Sequence, residues 1–173
     1  MTIILIGASG TIGSAIDDAL SDAHDLIRVG RTRGAIQADI ADPDALHALY
    51  DAVDDFDAVV CAAGGAAFDP LEALSDEDFD FSLSSKLMGQ VNLVRYGLPH
   101  IRTDANPSFT LVSGVLSTQP MPGSAAVSLV NAGVEGFARA AALEADDVRV
   151  NVVSPPWVSE TLEAMGQDPS AGV

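Results

Sequence analysis

Thr2 to Ile6 is a near-unbroken apolar run that passes straight into Gly7-Ala8-Ser9-Gly10-Thr11-Ile12-Gly13. A strand apolar on both faces has to be covered on both, which is the habit of parallel sheets. Ile12, Ile16, Leu20 and Ala23 then recur at helical spacing, so the glycine turn leads from a buried strand into a helix. The first unit is therefore strand, glycine turn, helix, and the rest of the chain is read against it.

Asp25 to Val29 reads as a second strand and Ala35 to Ala38 as a short third. Asp42-Pro43 has the chemistry of a helix cap, and Leu46, Leu49 and Val53 give the helix its apolar stripe. Asp57 to Ala62 is the fourth strand. Ser75, followed by acids at the next three positions, opens a long helix carrying Phe79, Leu83, Leu87, Val91, Val94 and Leu98 and ended by Pro99. Ser108 to Ser113 is the fifth strand, Ala125 to Ala145 a helix rich in small residues, and Val148 to Val153 the sixth strand. After Pro155-Pro156 the pattern fades into a polar tail. Strands alternating with helices at this spacing predict a doubly wound parallel sheet of the Rossmann type, three αβα layers in one domain over residues 1–173.

No apolar run reaches the roughly 18 residues of a membrane span, and the N-terminus has no basic leader. The one cysteine, Cys61, excludes an internal disulfide framework and any multi-cysteine metal site, which fits a reducing, cytoplasmic setting. His24, His47 and His100 are scattered, so no metal site is expected. Eight basic residues stand against 25 acidic ones, a net charge of −17. That surface repels nucleic acid and anionic membrane. Because the acids are spread along the chain, the reading is a surface suited to high salt, a halophilic source; an acidic face that docks a basic partner is the alternative.

The glycine turn carries the first chemical argument. Without β-carbons the backbone turns sharply and approaches a pyrophosphate, whose charge is met by the free amides and positive end of the following helix. Gly7, Ser9, Gly10, Thr11, Ile12 and Gly13 are the cradle, although a tight turn can also use glycine for structure alone. At the end of the second strand, where an acid usually meets the adenosine ribose, the sequence is Val29-Gly30-Arg31-Thr32-Arg33. With no carboxylate and two guanidinium groups the site favours a 2′-phosphate, hence NADP(H) over NAD(H). The competing reading makes both arginines ornaments of a turn.

From Thr2 to about Thr161 the chain resembles the short-chain dehydrogenase/reductase family. Gly7 to Gly13 is similar to its cofactor motif, with the glycines spaced differently from the common version. Asp39-Ile40 resembles the pair that meets the adenine ring. Cys61-Ala62-Ala63-Gly64 stands where the family has an Asn-Asn-Ala-Gly turn, and Asn151-Val152-Val153-Ser154-Pro155-Pro156 is similar to the segment after strand six, with Pro156 in place of glycine. The resemblance implies a catalytic serine, tyrosine and lysine. Ser113 matches the serine, but Val127 falls on the tyrosine and Asn131 on the lysine, and the chain's tyrosines, Tyr50 and Tyr96, lie elsewhere. Valine moves no proton, and a neutral amide depresses no neighbouring pKa.

The family's fourth catalytic position, an asparagine, falls on Lys86, the only lysine. Either its ammonium reaches the cofactor pocket and partly replaces the missing lysine, or its stem lies along the core edge with the head in solvent. The resemblance also implies a seventh strand, absent from this sequence, so a missing tail or a partner subunit would cover the sixth strand; a homo-oligomer, dimer or tetramer, is expected. Ala62, Ala63, Gly64 and Asn131 complete the expected cofactor contacts. The functional expectation is an oxidoreductase on a small-molecule carbonyl or alcohol substrate with a degenerate site. A non-catalytic NADP(H)-binding redox sensor and a structural oligomer subunit are the alternatives.

Overall fold

The computed structural model describes residues 1–173 apart from 54, 105, 165 and 167 and the side chains of 161 and 164. Its strands are β1 (Thr2–Ile6), β2 (Asp25–Gly30), β3 (Ile36–Gln37), β4 (Ala58–Cys61), β5 (Ser108–Val112) and β6 (Arg149–Val153). They form one parallel sheet in the order β3-β2-β1-β4-β5-β6. β1 is the hinge of that order: Ile4 is in register with Ile27 of β2 on one side and Val59 of β4 on the other. The chain winds outward from β1 to β3 and then returns to β4, which opens a crevice beyond the carboxyl ends of β1 and β4.

The helices are α1 (Thr11–Leu20), α2 (Pro43–Ala52), α3 (Asp76–Ser82), α4 (Gly89–Gly97), α5 (Ala125–Glu144) and α6 (Ser159–Ala164). Ile4, Ile6, Val29, Val59, Cys61, Phe109 and Leu111 of the sheet share one core with Leu46, Leu49 and Tyr50 of α2, Leu93 and Val94 of α4, and Val134 and Ala138 of α5. Ile3 and Leu5, which alternate with Ile4 and Ile6, are buried as well. Successive side chains on a strand point to opposite faces, so both faces of β1 are covered. Each such side chain withdrawn from water contributes about 2 kcal/mol.

The predicted long helix from Ser75 to Leu98 is three pieces. α3 begins with the expected cap, in which Ser75 and Asp78 bond each other's backbone amides, but Leu83–Met88 is π-helical before α4 resumes. A π turn holds one residue more than an α turn and rotates everything after it. The buried residues of α4 are therefore Gly89, Gln90, Asn92, Leu93, Val94 and Gly97, and Val91 of the predicted stripe is half-buried. Gln90 stands among them because its amide clasps the end of β5: Nε2 donates to the Val112 carbonyl at 3.0 Å, and the Val112 amide donates to Oε1 at 2.9 Å. The predicted third strand, Ala35 to Ala38, shortens to two residues.

The tail beyond Pro156 is also more ordered than its composition implies. It forms α6 and a short 3-10 turn, Pro169–Ala171, and folds back so that the Val173 amide donates to the Trp157 carbonyl at 2.9 Å. At the opposite end of the sheet Asp57, 2% exposed, accepts from the Thr2 amide at 2.7 Å and from Arg102 Nε at 2.8 Å.

Candidate active site

The β1–α1 junction is built for close backbone approach. Gly7 has φ +83°, and a β-carbon on it would stand 2.8 Å from the Ala62 carbonyl oxygen. Gly13 is buried beneath the turn, where a β-carbon would collide with the Gly7 carbonyl. The Gly10 amide donates back to Gly7 at 3.0 Å, closing the turn. Gly10 then stands as the N-cap of α1 with no side-chain hydrogen bond, whereas Asp42 caps α2 and Ser75 caps α3. The first-turn amides of α1 are left for an anion.

Two adjoining spaces lie beyond these strand ends, sharing Gly64. The outer cleft, about 400 Å³, is lined by Gly7, Ser9, Gly10, Arg31, Thr32, Asp39, Ile40, Ala62, Ala63 and Gly64, all assigned from sequence to a dinucleotide. Arg31 and Thr32 are exposed there, Arg33 is exposed but outside the lining, and Ile40 is buried against Gly89. The Asp39 carboxylate accepts from the Ala41 amide at 3.0 Å. Thr11 opens α1 and Gly13 supports the turn; neither lines the cleft.

The inner cavity, about 350 Å³, brings together Ile12, Lys86, Ser113, Val127, Asn131 and Trp157. Val127 and Asn131 stand one turn apart on α5, and the π segment delivers Lys86 from the opposite side. Ser82 and Ser85 anchor the loop between: their hydroxyls accept from the Ala67 amide at 2.9 Å and the Gly65 amide at 3.0 Å. Lys86 is the one charged residue in the lining, and among the described residues its ammonium has no ion pair or hydrogen bond. Burial holds its pKa below the ordinary lysine value. Lys86 is half-buried along this cavity wall. Trp157 lines the cavity and meets Phe68 edge-on with centroids 6.1 Å apart. Cys61 is a core residue whose thiol burial pushes up to about 11, far from a reactive thiolate.

Asn131 is 3% exposed, and its Oδ1 has no hydrogen-bond partner among the described residues. An orphaned buried acceptor costs about 1 to 3 kcal/mol, which a ligand hydroxyl in the cavity would recover. That atom and the glycine cradle both fit a dinucleotide.

Ser113 is held by a residue that sequence reasoning missed. Its Oγ lies 3.1 Å from the Asn131 carbonyl and 2.9 Å from Glu135 Oε1, and a hydroxyl has one proton to give. Ser117 and Ser154 donate to the same Glu135 oxygen, each at 2.7 Å. Burial raises the Glu135 pKa, but these three hydroxyls and the charge of Arg139 outweigh it and leave the carboxyl below its ordinary range. The available signal was an acid eight residues after Val127 and four after Asn131, on the same face of α5. Among the described residues no group of three potential ligands could hold a metal ion, and no helix is long and apolar enough to cross a membrane.

Residues 7–171 match the family described as enoyl-(acyl carrier protein) reductase. An uncharacterized oxidoreductase of Schizosaccharomyces pombe is 26% identical over 187 residues, covering 98% of this chain and 72% of its own length. The hydroxynaphthalene reductase of Aspergillus fumigatus is 30% identical over 166 residues, 90% of this chain and 59% of its own length. This chain thus spans little more than half of several curated relatives. Among solved structures, the protein lin1944 of Listeria innocua has a TM-score of 0.91 at 38% identity, covering 95% of this chain and 82% of that one. A small-chain dehydrogenase in complex with NADPH has a TM-score of 0.84 at 22% identity, covering 95% and 78%.

Proposed function

The chain belongs to the short-chain dehydrogenase/reductase family, and from that premise we propose an NADP(H)-binding oxidoreductase of a carbonyl or alcohol substrate, with Val127 and Asn131 in place of the usual tyrosine and lysine. The observation that carries the reading is the unpartnered Asn131 Oδ1, at the lysine position, in a cavity joined through Gly64 to the glycine cradle.

In this reading Gly7, Ser9, Gly10, Thr11, Ile12 and Gly13 hold the pyrophosphate. Arg31 and Thr32 meet the 2′-phosphate, which is the argument for NADP(H) over NAD(H). Asp39 and Ile40 border the adenine, Ala62, Ala63 and Gly64 the adjoining ribose path, and Asn131 accepts from a ribose hydroxyl. The dinucleotide supplies or takes the hydride when bound. Ser113 and Lys86 border the reacting carbonyl or carbinol, and Lys86 stands in for part of the missing lysine. The reading extends to a cytoplasmic homo-oligomer, dimer or tetramer; its support is the half-exposed Val153 on the outer strand β6 and the exposed Leu129 and Leu143 on α5.

Fluorescence titration with NADPH and NADH, followed by a screen of carbonyl compounds, tests the proposal. Saturable binding with NADPH the tighter, together with turnover, is the expected result. No binding would sink the reading, and binding without turnover would convert it to the redox sensor.

A further inference from the structure

Glu135 joins two spaces. Its carboxylate accepts from Ser113, which lines the inner cavity, and from Ser154, which with Glu135 and Arg139 lines a separate groove on the outer side of α5 and β6. A hydrogen-bonded path thus runs from the cavity, through Ser113 Oγ, to a half-buried carboxylate at the groove. Both acceptors within reach of the Ser113 hydroxyl, Glu135 Oε1 at 2.9 Å and the Asn131 carbonyl at 3.1 Å, lie on α5, so with its proton directed there Ser113 offers the cavity a lone pair. A ligand carbonyl cannot use a lone pair, but a ligand hydroxyl can.

We propose that Glu135 is a positioning residue that takes up the substrate proton through Ser113, so that this site oxidises an alcohol of largely apolar character. The proposal rests on the oxidoreductase reading above and deepens it by naming the substrate class and the proton's path. The step balances with an oxidised nicotinamide dinucleotide as hydride acceptor. The carbinol C–H bond breaks and its hydride leaves with both electrons; the O–H proton passes to Ser113 Oγ as the Ser113 proton passes to Glu135. The products are a carbonyl compound, the reduced dinucleotide and a protonated Glu135, which returns its proton to water at the groove.

The surrounding chemistry agrees. Glu135 is ionised at neutral pH, the state that accepts a proton. Arg139, on the same helix, is the charged neighbour at the groove, and Lys86 is the one charge across the cavity. The Lys86 ammonium is a free donor for the carbonyl oxygen as it forms. Val127 leaves no competing hydroxyl where the family tyrosine would stand, and Ile12, Val112, Leu116 and Trp157 make much of the remaining lining apolar, with the Asn131 amide as its polar exception.

The test compares wild type with Glu135→Gln, Glu135→Asp and Ser113→Ala, using NADP⁺ with cyclohexanol and with 1-phenylethanol between pH 5 and 9. Glutamine still accepts the hydroxyl bonds but cannot take a proton. In wild type kcat should be level across this range, because Glu135, held below the ordinary carboxyl pKa, is ionised throughout it; Glu135→Gln should lose about 100-fold in kcat at every pH and keep its KM and its NADPH affinity. Aspartate should restore part of the rate, and combining Glu135→Gln with Ser113→Ala should add little to either. Independently of turnover, ¹³C spectra should show the Glu135 carboxyl titrating at higher pH in Ser113→Ala. Wild-type kinetics in Glu135→Gln, or an unmoved titration in Ser113→Ala, overturns the proposal. NADPH binding without oxidation of either alcohol overturns it alone, whereas absent NADPH binding overturns the reading beneath it.

Discussion

Gly64 lies so close to Lys86 that a β-carbon at position 64 would stand 3.0 Å from the Lys86 Cα and 3.1 Å from its Cδ. Gly64 also has φ +107°, where side chains are strained. Gly64→Ala should therefore cost about 2 kcal/mol in urea unfolding and weaken NADPH binding by displacing the Lys86 stem. Unaltered stability would mean that the loop and the π segment do not meet this closely.

Asn131→Leu separates a structural role from a functional one. Removing the orphaned amide should stabilise the ligand-free protein by about 1 kcal/mol, while NADPH affinity falls about tenfold through loss of one hydrogen bond. Thermal melts and fluorescence titration read the two effects. A variant losing both would make Asn131 an ordinary core residue.

Arg31→Ala addresses cofactor choice. If its guanidinium forks onto a 2′-phosphate, NADPH affinity falls about tenfold or more and NADH affinity does not move. Equal losses for both would remove the phosphate assignment.

Acid should reach the fold through Asp57. Burial raises its pKa, but the Thr2 amide and Arg102 outweigh that and set it below the unfolded value. Its stabilisation is then complete above the unfolded pKa, about 3.9, and is lost as pH falls through the lower folded value. Arg102→Met should cost about 2 kcal/mol at neutral pH and move the acid-unfolding midpoint upward. Circular dichroism against pH would record the move, and an unchanged midpoint would contradict it.

The net charge of −17 predicts a salt response. If the surface belongs to a halophile, the melting temperature climbs steadily as potassium chloride rises toward molar concentrations, because ions screen the self-repulsion. A melting curve indifferent to salt would reject that origin.

Every strand of the sheet was legible in the sequence, because apolar runs between turn residues leave few alternatives. The glycine turn, Arg31 and Ser113 were singled out by their places at strand ends, and Val127 and Asn131 by the family resemblance; the structure sets them along two adjoining clefts, and what they bind there is the proposal above. Glu135 was not. Its importance comes from three serines at 113, 117 and 154, brought together only when β5, α5 and the segment after β6 pack. The break at Leu83–Met88 escaped too, since both halves of that helix carry ordinary apolar spacing and the irregularity lies in hydrogen-bond pattern. Gln90 belongs to the same class: a polar residue in the interior reads as surface until the strand end it clasps is known.

That irregular turn acts as a gear. Residues ahead of it are oriented by the loop that walls the pocket, and those behind it by the packed interior, with one surplus residue decoupling the two. Side chains on the pocket wall, Lys86 among them, can then be exchanged without demanding compensating changes in the interior.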